Sequence, residues 1–319
     1  MFRLLLLVHL TFLLLPQPSG AQEVGRPLPL SDHLATGDDY MGIRLLGALS
    51  LQGREALAEL SDLAWDEDEG ILYSVTDRGR LLHLLPVIEQ DRLVNIKLLR
   101  HFDLLDETGK KLRKSERDAE GLALEQSDNG VAGDSLLAVS FEGHNRVALY
   151  SAEGEFRRSV KMPKVLRDPK LYKSGNKGLE ALARHREFGY ITGPEMAKER
   201  GAIPLFSQTG QRWYYRPLEP NGAVVALEAL DDGTLLILER AFSSIFEPLV
   251  ISLSSSRPTK ANTDSALETR LLARFDNSQG WRTQNFEGLT RYRGNRFFMV
   301  SDDGGESFLQ TQLLYFEIR

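Results

Sequence analysis

Beyond Gln22 the apolar residues come in runs of about four to eight, closed off by Gly, Asp and Asn, which is the punctuation of strands rather than helices. No long amphipathic helical pattern interrupts them. The clearest predicted strands are Ile71 to Thr76, Ser135 to Phe141, Gly189 to Thr192, Thr234 to Leu238 and Arg296 to Ser301. Each follows another apolar stretch across a turn, marked by Glu69-Gly70, Gly133-Asp134, Asp232-Gly233 and Gly294-Asn295. Asp-Gly is a strong hairpin signal, because these residues tolerate the backbone a tight turn requires.

Laid over one another, the strand pairs form a repeat. The first members are Asp62 to Trp65, Glu120 to Ala123, Glu180 to Ala183, Ala226 to Ala229 and Glu287 to Thr290. Their spacing of roughly 45 to 60 residues is that of four-stranded propeller blades. Two further strand-like runs complete most repeats, as in Arg146 to Ser151 and Phe156 to Lys161, or Ile203 to Ser207 and Trp213 to Arg216. The last repeat is short of one strand, since Gln312 to Ile318 supplies only its third. The orphan run Ile43 to Leu51 predicts the fourth, closing the ring and removing the sheet edges an open stack would expose. The expectation is one all-β domain, a β-propeller of five four-stranded blades. The stretch Pro258 to Ala273 leaves room for a sixth set, and a β-sandwich is the alternative without a long repeat.

The first residues read differently. Arg3 precedes an almost wholly apolar run from Leu4 to Leu15, too short for a bilayer span of roughly 20 residues. Pro16 and Pro18 break it, and Ser19-Gly20-Ala21 presents small residues of the kind a signal peptidase reads. Residues 1–21 are therefore expected to be a signal peptide, residues 22–39 an N-terminal extension and residues 40–319 the propeller. A periplasmic or secreted bacterial protein, with no membrane span after cleavage, is the corresponding expectation. The chain has no cysteine, which excludes disulfides, thiolate metal sites and a cysteine nucleophile. Its net charge is −6, and −7 once Arg3 leaves, which argues against nonspecific nucleic-acid binding.

Candidate chemistry is acidic. The motifs Asp118-Ala119-Glu120-Gly121-Leu122, Asn176 to Leu182 and Asn285-Phe286-Glu287-Gly288-Leu289 place Glu120, Glu180 and Glu287 at equivalent points of three channel-lining strands. Asp77, Glu142, Glu195, Glu239, Asp302 and Asp303 follow the second strands and fall on the same face. Two readings of the three glutamates stand: ligands of a calcium ion, which favours six to eight oxygens, or braces bonded to amides of neighbouring blades. Arg78 and Arg240 either pair with these acids or grip a phosphate with their donor forks. His144 follows Glu142-Gly143 and is the one histidine near this face. The others are scattered without the spacing of a zinc site, and there is no Gly-x-Ser-x-Gly elbow. Asp302-Asp303-Gly304-Gly305-Glu306 reads as a tight acidic turn or a partial calcium loop, and Trp65, Trp213 and Trp281 as blade packing.

Taken in order, these motifs resemble the phytase-like family of bacterial exported proteins, described by an esterase-like activity of phytase. The likeness rests on Ser61 to Trp65 with Ser74 to Gly79, on Asp118 to Leu124 with Phe141 to Gly143, and on Asn176 to Ala183. It continues through Leu238 to Phe242 and Asn285 to Thr290 with Val300 to Asp303, covering the chain from about Tyr40. The resemblance implies a propeller hydrolysing phosphate or carboxylic esters with a calcium requirement. The Asp-Ala-x-Asp-Asp-Pro-Ala run of calcium-dependent propeller phytases is absent, and Asp118-Ala119-Glu120-Gly121 echoes only part of it. In that scheme Glu120, Glu180 and Glu287 hold metal, Asp77, Asp302 and His144 serve the reaction, and Arg78 and Arg240 bind a small-molecule ester. A non-catalytic propeller binding an envelope ligand, and a sugar-lactone hydrolase, are the alternatives. The mature chain should begin at Gln22. Intact mass of the exported protein tests this, and retention of Met1 would contradict it.

Overall fold

The computed structural model describes residues 21–174, 178–198, 201–242, 247–305 and 309–319. Residues 1–20 of the expected leader, Asn176 and Lys177 of the third motif, and Glu306 of the acidic turn lie outside them. Five antiparallel sheets form a β-propeller of five blades. Blade 1 runs through Leu60–Asp66, Ile71–Thr76, Arg80–Glu89 and Arg92–Asp103, and blade 2 through Ala119–Glu125, Leu136–Phe141, Arg146–Tyr150 and Phe156–Val160. Blade 3 comprises Leu179–His185, Gly189–Pro194, Ile203–Ser207 and Arg212–Tyr215, and blade 4 Gly222–Ala229, Leu235–Ala241, Val250–Ser256 and Thr269–Asp276. Blade 5 takes Asn285–Arg291, Arg296–Asp302 and Gln312–Ile318 from the end of the chain and its outermost core strand, Ile43–Leu51, from the beginning. The stretch Pro258 to Ala273 is a loop and the start of the fourth strand of blade 4, so there is no sixth blade.

Closure is antiparallel from Gln312↔Ser50 to Ile318↔Ile43. The N-terminal extension then straddles the seam. Gly25–Pro27 adds to the outer edge of Ile43–Leu51, and Gln22–Glu23 adds to Arg92–Asp103 of blade 1. Asn95 ties the two together, its Oδ1 accepting from the amides of Gly25 (3.0 Å) and Ile96 (2.8 Å).

The continuous apolar runs of the second strands are explained by burial on both faces. Phe297 and Met299 pack toward blade 4, while Phe298 and Val300 pack toward blade 1. Leu72 faces blade 5, and Tyr73 and Val75 face blade 2. The core is thus a set of layers between neighbouring blades. Trp213 and Trp281 are buried in two of these layers, whereas Trp65 is only half-buried against Tyr292 and Arg293.

At the axis the inner strands meet, and one carboxylate joins three of them. Asp62 of blade 1 accepts from the amides of Leu63 (2.8 Å), Leu122 of blade 2 (2.7 Å) and Leu289 of blade 5 (3.1 Å). Burial pushes its pKa well up, against the pull of those amides. The approach explains the Glu-Gly-Leu motif. A Cβ on Gly121 would lie 2.6 Å from the Leu182 amide, and one on Gly288 2.8 Å from the Cα of Asp62. Replacing Asp62 with Ala strands buried amides from three strands, so Asp62→Ala should lose roughly 3 kcal/mol or more of unfolding free energy. Urea denaturation measures this; a loss below about 1 kcal/mol would remove Asp62 as the axial brace.

Candidate functional site

The inner strand of every blade carries a β-bulge at the same place. Register with the second strand shifts between Leu60 and Asp62, at the Glu120-Gly121 step, between Leu179 and Leu182, between Val224 and Ala226, and between Phe286 and Gly288. A bulge adds a residue and re-aims a side chain. The equivalent bulge positions are Ser61, Glu120, Glu180, Val225 and Glu287. The same register aligns Thr76, Phe141, Pro194, Glu239 and Ser301 opposite the residue before each bulge. The residues just after them are Asp77, Glu142, Glu195, Arg240 and Asp302. Two five-membered rings of equivalent positions therefore meet at one end of the channel, with seven carboxylates and a single guanidinium.

That guanidinium divides the charge. Arg240 pairs with Glu195 (2.5 Å) and with Glu287, and donates to Asn285 Oδ1 (2.5 Å). Burial works against its charge, yet Glu287, Glu195 and Glu180 together hold its pKa above the ordinary arginine value. Glu239, expected among the ring acids, is instead an anchor. Its carboxylate accepts from the Tyr215 hydroxyl (2.5 Å) and the amides of Leu218 (2.8 Å) and Glu219 (2.9 Å). Glu142 takes the Gly178 amide at 2.6 Å.

On the blade 1 and blade 2 side, one oxygen each of Asp77, Asp118 and Glu120 lie within 4.8 Å of one another. Asp77 accepts from Ser61 Oγ at 2.6 Å, whereas the buried Glu120 carboxylate accepts no hydrogen bond among the described residues. Burial first, and then neighbouring charge, raises these pKa values: Asp302 acts on Asp77, Glu180 on Glu120, and Glu195 on Glu180. Burial raises Asp118 as well. Carboxylates so placed are costly unless a cation joins them.

Of the three expected glutamates, only Glu120 belongs to this close group; Glu287 is committed to Arg240, and Glu180 stands among Glu195, Glu287 and Glu142. Asp118, absent from the site residues expected from the sequence, belongs to the close group. Its signal was the alternation Asp118-x-Glu120, which puts two carboxylates on one side of a strand. Arg78 pairs with Glu59 rather than standing free. His144 is exposed, with Nδ1 2.9 Å from the Ser115 carbonyl oxygen, and lies outside the group. Asp302 accepts from the Gly304 amide (2.8 Å), and Asp303 from those of Glu59 and Gly305 (both 3.0 Å), so the described part of the acidic run is an Asp-stabilised turn.

Beside the rings lies a cavity of about 590 Å³. Arg240, Asp302, Asn285 and Gln284 form a polar wall, and Met196, Phe242, Leu249 and Leu309 an apolar one.

A five-bladed propeller with an acid-crowded channel mouth is thus the class that fold and geometry define. Residues 55–305 match the Phytase-like family, described as esterase-like activity of phytase, and the chain belongs to it. No curated protein matches the chain. Among solved structures it is similar to the pyrroloquinoline-quinone-bound aldose sugar dehydrogenase of Streptomyces coelicolor, at 10% identity and TM-score 0.47 over 89% of this chain and 100% of that one. A catalytically inactive virginiamycin B lyase of Staphylococcus aureus with quinupristin is similar at 10% identity and TM-score 0.41, over 93% of this chain and 100% of that one. At that distance neither bears on the chemistry of this chain.

Burial raises Glu287 from an ordinary 4.5 to about 7, with Arg240 opposing the shift, and raises Asp302 to about 6. Between the unfolded and folded values the folded chain holds protons that the unfolded chain has released. These groups therefore stabilise the metal-free protein fully below about pH 4.5, and that contribution is lost as pH rises to about 7. Relative to Glu287→Gln, the metal-free wild type should lose on the order of 1 to 3 kcal/mol between pH 4.5 and 7.5. Paired thermal melts measure it, and parallel pH profiles for the two proteins would contradict it.

Proposed function

We propose that this protein is an exported, periplasmic or secreted, ester hydrolase in which Asp77, Asp118 and Glu120 hold a divalent cation. The observation that carries the reading is the uneven compensation of the rings. Arg240 satisfies Glu195 and Glu287, while among the described residues no cationic side chain forms an ion pair with Asp77, Asp118 or Glu120, Arg78 and Arg117 acting on Asp77 and Asp118 only from a distance. Calcium suits them, being a hard ion that takes six to eight oxygens, of which three carboxylates offer up to six. When bound it supplies a Lewis acid for a phosphoryl or acyl oxygen.

The chain's own groups support the rest. Asp302 lines the cavity and, with a pKa of about 6, is ionised at neutral pH and able to accept a proton from an attacking water. Ser61 holds Asp77 in place. The apolar wall of Met196, Phe242 and Leu249 offers a surface for the non-polar part of an ester. A second reading, a non-catalytic propeller binding an envelope ligand, is favoured by the commitment of Arg240 to Glu195 and Glu287, which leaves its fork less free to clamp a substrate.

Turnover of 4-nitrophenyl phosphate, bis(4-nitrophenyl) phosphate and 4-nitrophenyl butyrate, with calcium and with chelator, separates the two readings. The hydrolase should act on at least one ester only with metal. Glu120→Gln and Asp118→Asn should weaken calcium binding, and Asp302→Asn should lower kcat roughly 100-fold while removing the pH limb near 6. Calcium binding without turnover would leave the binding propeller, and no calcium binding would sink the metal site.

A further inference from the structure

Between blades 2 and 3 lies a cavity of about 730 Å³, separate from the acidic group. Arg146, Arg167, Lys173 and Lys198 line it with His144, and none of its described lining residues carries a carboxylate. The chain has 45 acidic residues against 39 basic ones, so a wall with four basic side chains and no acid among its described residues runs against its composition, although Arg146 and His144 also border a neighbouring cleft with Asp106, Glu107 and Glu116. Among the described residues no carboxylate lies within ion-pair distance of any of the four. Arg146 is half-buried above the Phe141 ring, 3.8 Å from its centroid, donates to the carbonyl oxygens of His144 (3.3 Å) and Glu116 (2.5 Å), and interacts with the Tyr150 side chain. Burial pushes its pKa down, with Tyr150 and the Glu116 charge opposing the shift.

The other wall is apolar. Val147, Leu166, Tyr172 and Leu179 are buried there, and the Tyr172 hydroxyl is taken by the Leu166 carbonyl at 2.6 Å. A permanent positive rim over an apolar floor matches a ligand with one charged end. Arginine forks and lysine ammonium groups fit an oxyanion, while the floor fits a ring or short chain. The volume falls within the range of small-molecule sites.

We propose that this cavity binds a small amphiphilic organic anion, a phosphate, phosphonate, sulfonate or carboxylate head on an apolar body. The site goes beyond the ester-hydrolase reading and does not require it.

The mature protein, stripped of metal on a chelating resin, should be titrated calorimetrically with 1-naphthylphosphonate, 1-naphthalenemethanol and inorganic phosphate. The phosphonate should bind at least about 10-fold more tightly than the neutral alcohol or phosphate alone, and added salt should weaken it. Arg167 and Lys198 are exposed, so their replacement spares the core. Arg167→Ala and Lys198→Ala should each weaken the phosphonate roughly 5-fold, and the double variant more. Glu120→Gln should leave this binding unchanged while lowering calcium affinity, which separates the cavity from the acidic group. Equal binding of the neutral alcohol, a double variant that binds like the wild type, or no binding of the phosphonate would each overturn the proposal.

Discussion

The molecule depends on closure of the ring by the pairing of Ile43–Leu51 with Gln312–Ile318. A strand from the start of the chain completes a blade otherwise made from its end, so no blade can move away without exposing a sheet edge. Closure also sets how near the inner strands must come. At the axis they are close enough for Gly121 and Gly288 to have no room for a side chain, and for Asp62 to accept amides from blades 1, 2 and 5 together. The same convergence brings equivalent residues of different blades into one small volume.

Electrostatics follows from that geometry. Ring positions separated by roughly a blade's length of sequence become neighbours, and most of them are acids. Fivefold repetition is broken in blade 1, where Ser61 stands at a glutamate position, and in blade 4, where Val225 does and Arg240 stands in place of an acid. The guanidinium draws in Glu195 and Glu287 and leaves Asp77, Asp118 and Glu120 to share what field remains. Like charges held together in a buried site reduce stability, and the fold offsets this through its apolar inter-blade layers and the Asp62 brace. Such an arrangement is what the proposed cation site would cost before a cation binds.

Much of this was legible in the sequence, for identifiable reasons. Doubly buried strands leave unmistakable apolar runs, turns announce themselves by Asp-Gly and its relatives, and a repeat of blade length counts to five. The missing last strand pointed to Ile43–Leu51 because an incomplete blade has an unpaired edge. Equivalence of Glu120, Glu180 and Glu287 was legible too, but their partners were not. A bulge adds one residue without any compositional mark, so the shift that aligns Arg240, rather than Glu239, with Asp77 and Asp302 could not be counted. Asp62 stood in a motif that marked the repeat and the family likeness, and nothing in it announced that its carboxylate is the axial brace. The cationic cavity draws on separate segments around Arg146, Arg167, Lys173 and Lys198, which no local pattern joins.

The central claim is that ring closure creates one cation site from Asp77, Asp118 and Glu120, while Arg240 neutralises the other side of the mouth. Anomalous diffraction from crystals of the protein soaked in terbium, a calcium substitute that takes the same oxygen donors, tests it most directly. The account predicts one strong peak coordinated by those three carboxylates, lost in Glu120→Gln, with Arg240 still bound to Glu195 and Glu287. A peak centred between Glu180 and Glu287, with Arg240 displaced, or no peak within the rings at all, would contradict it.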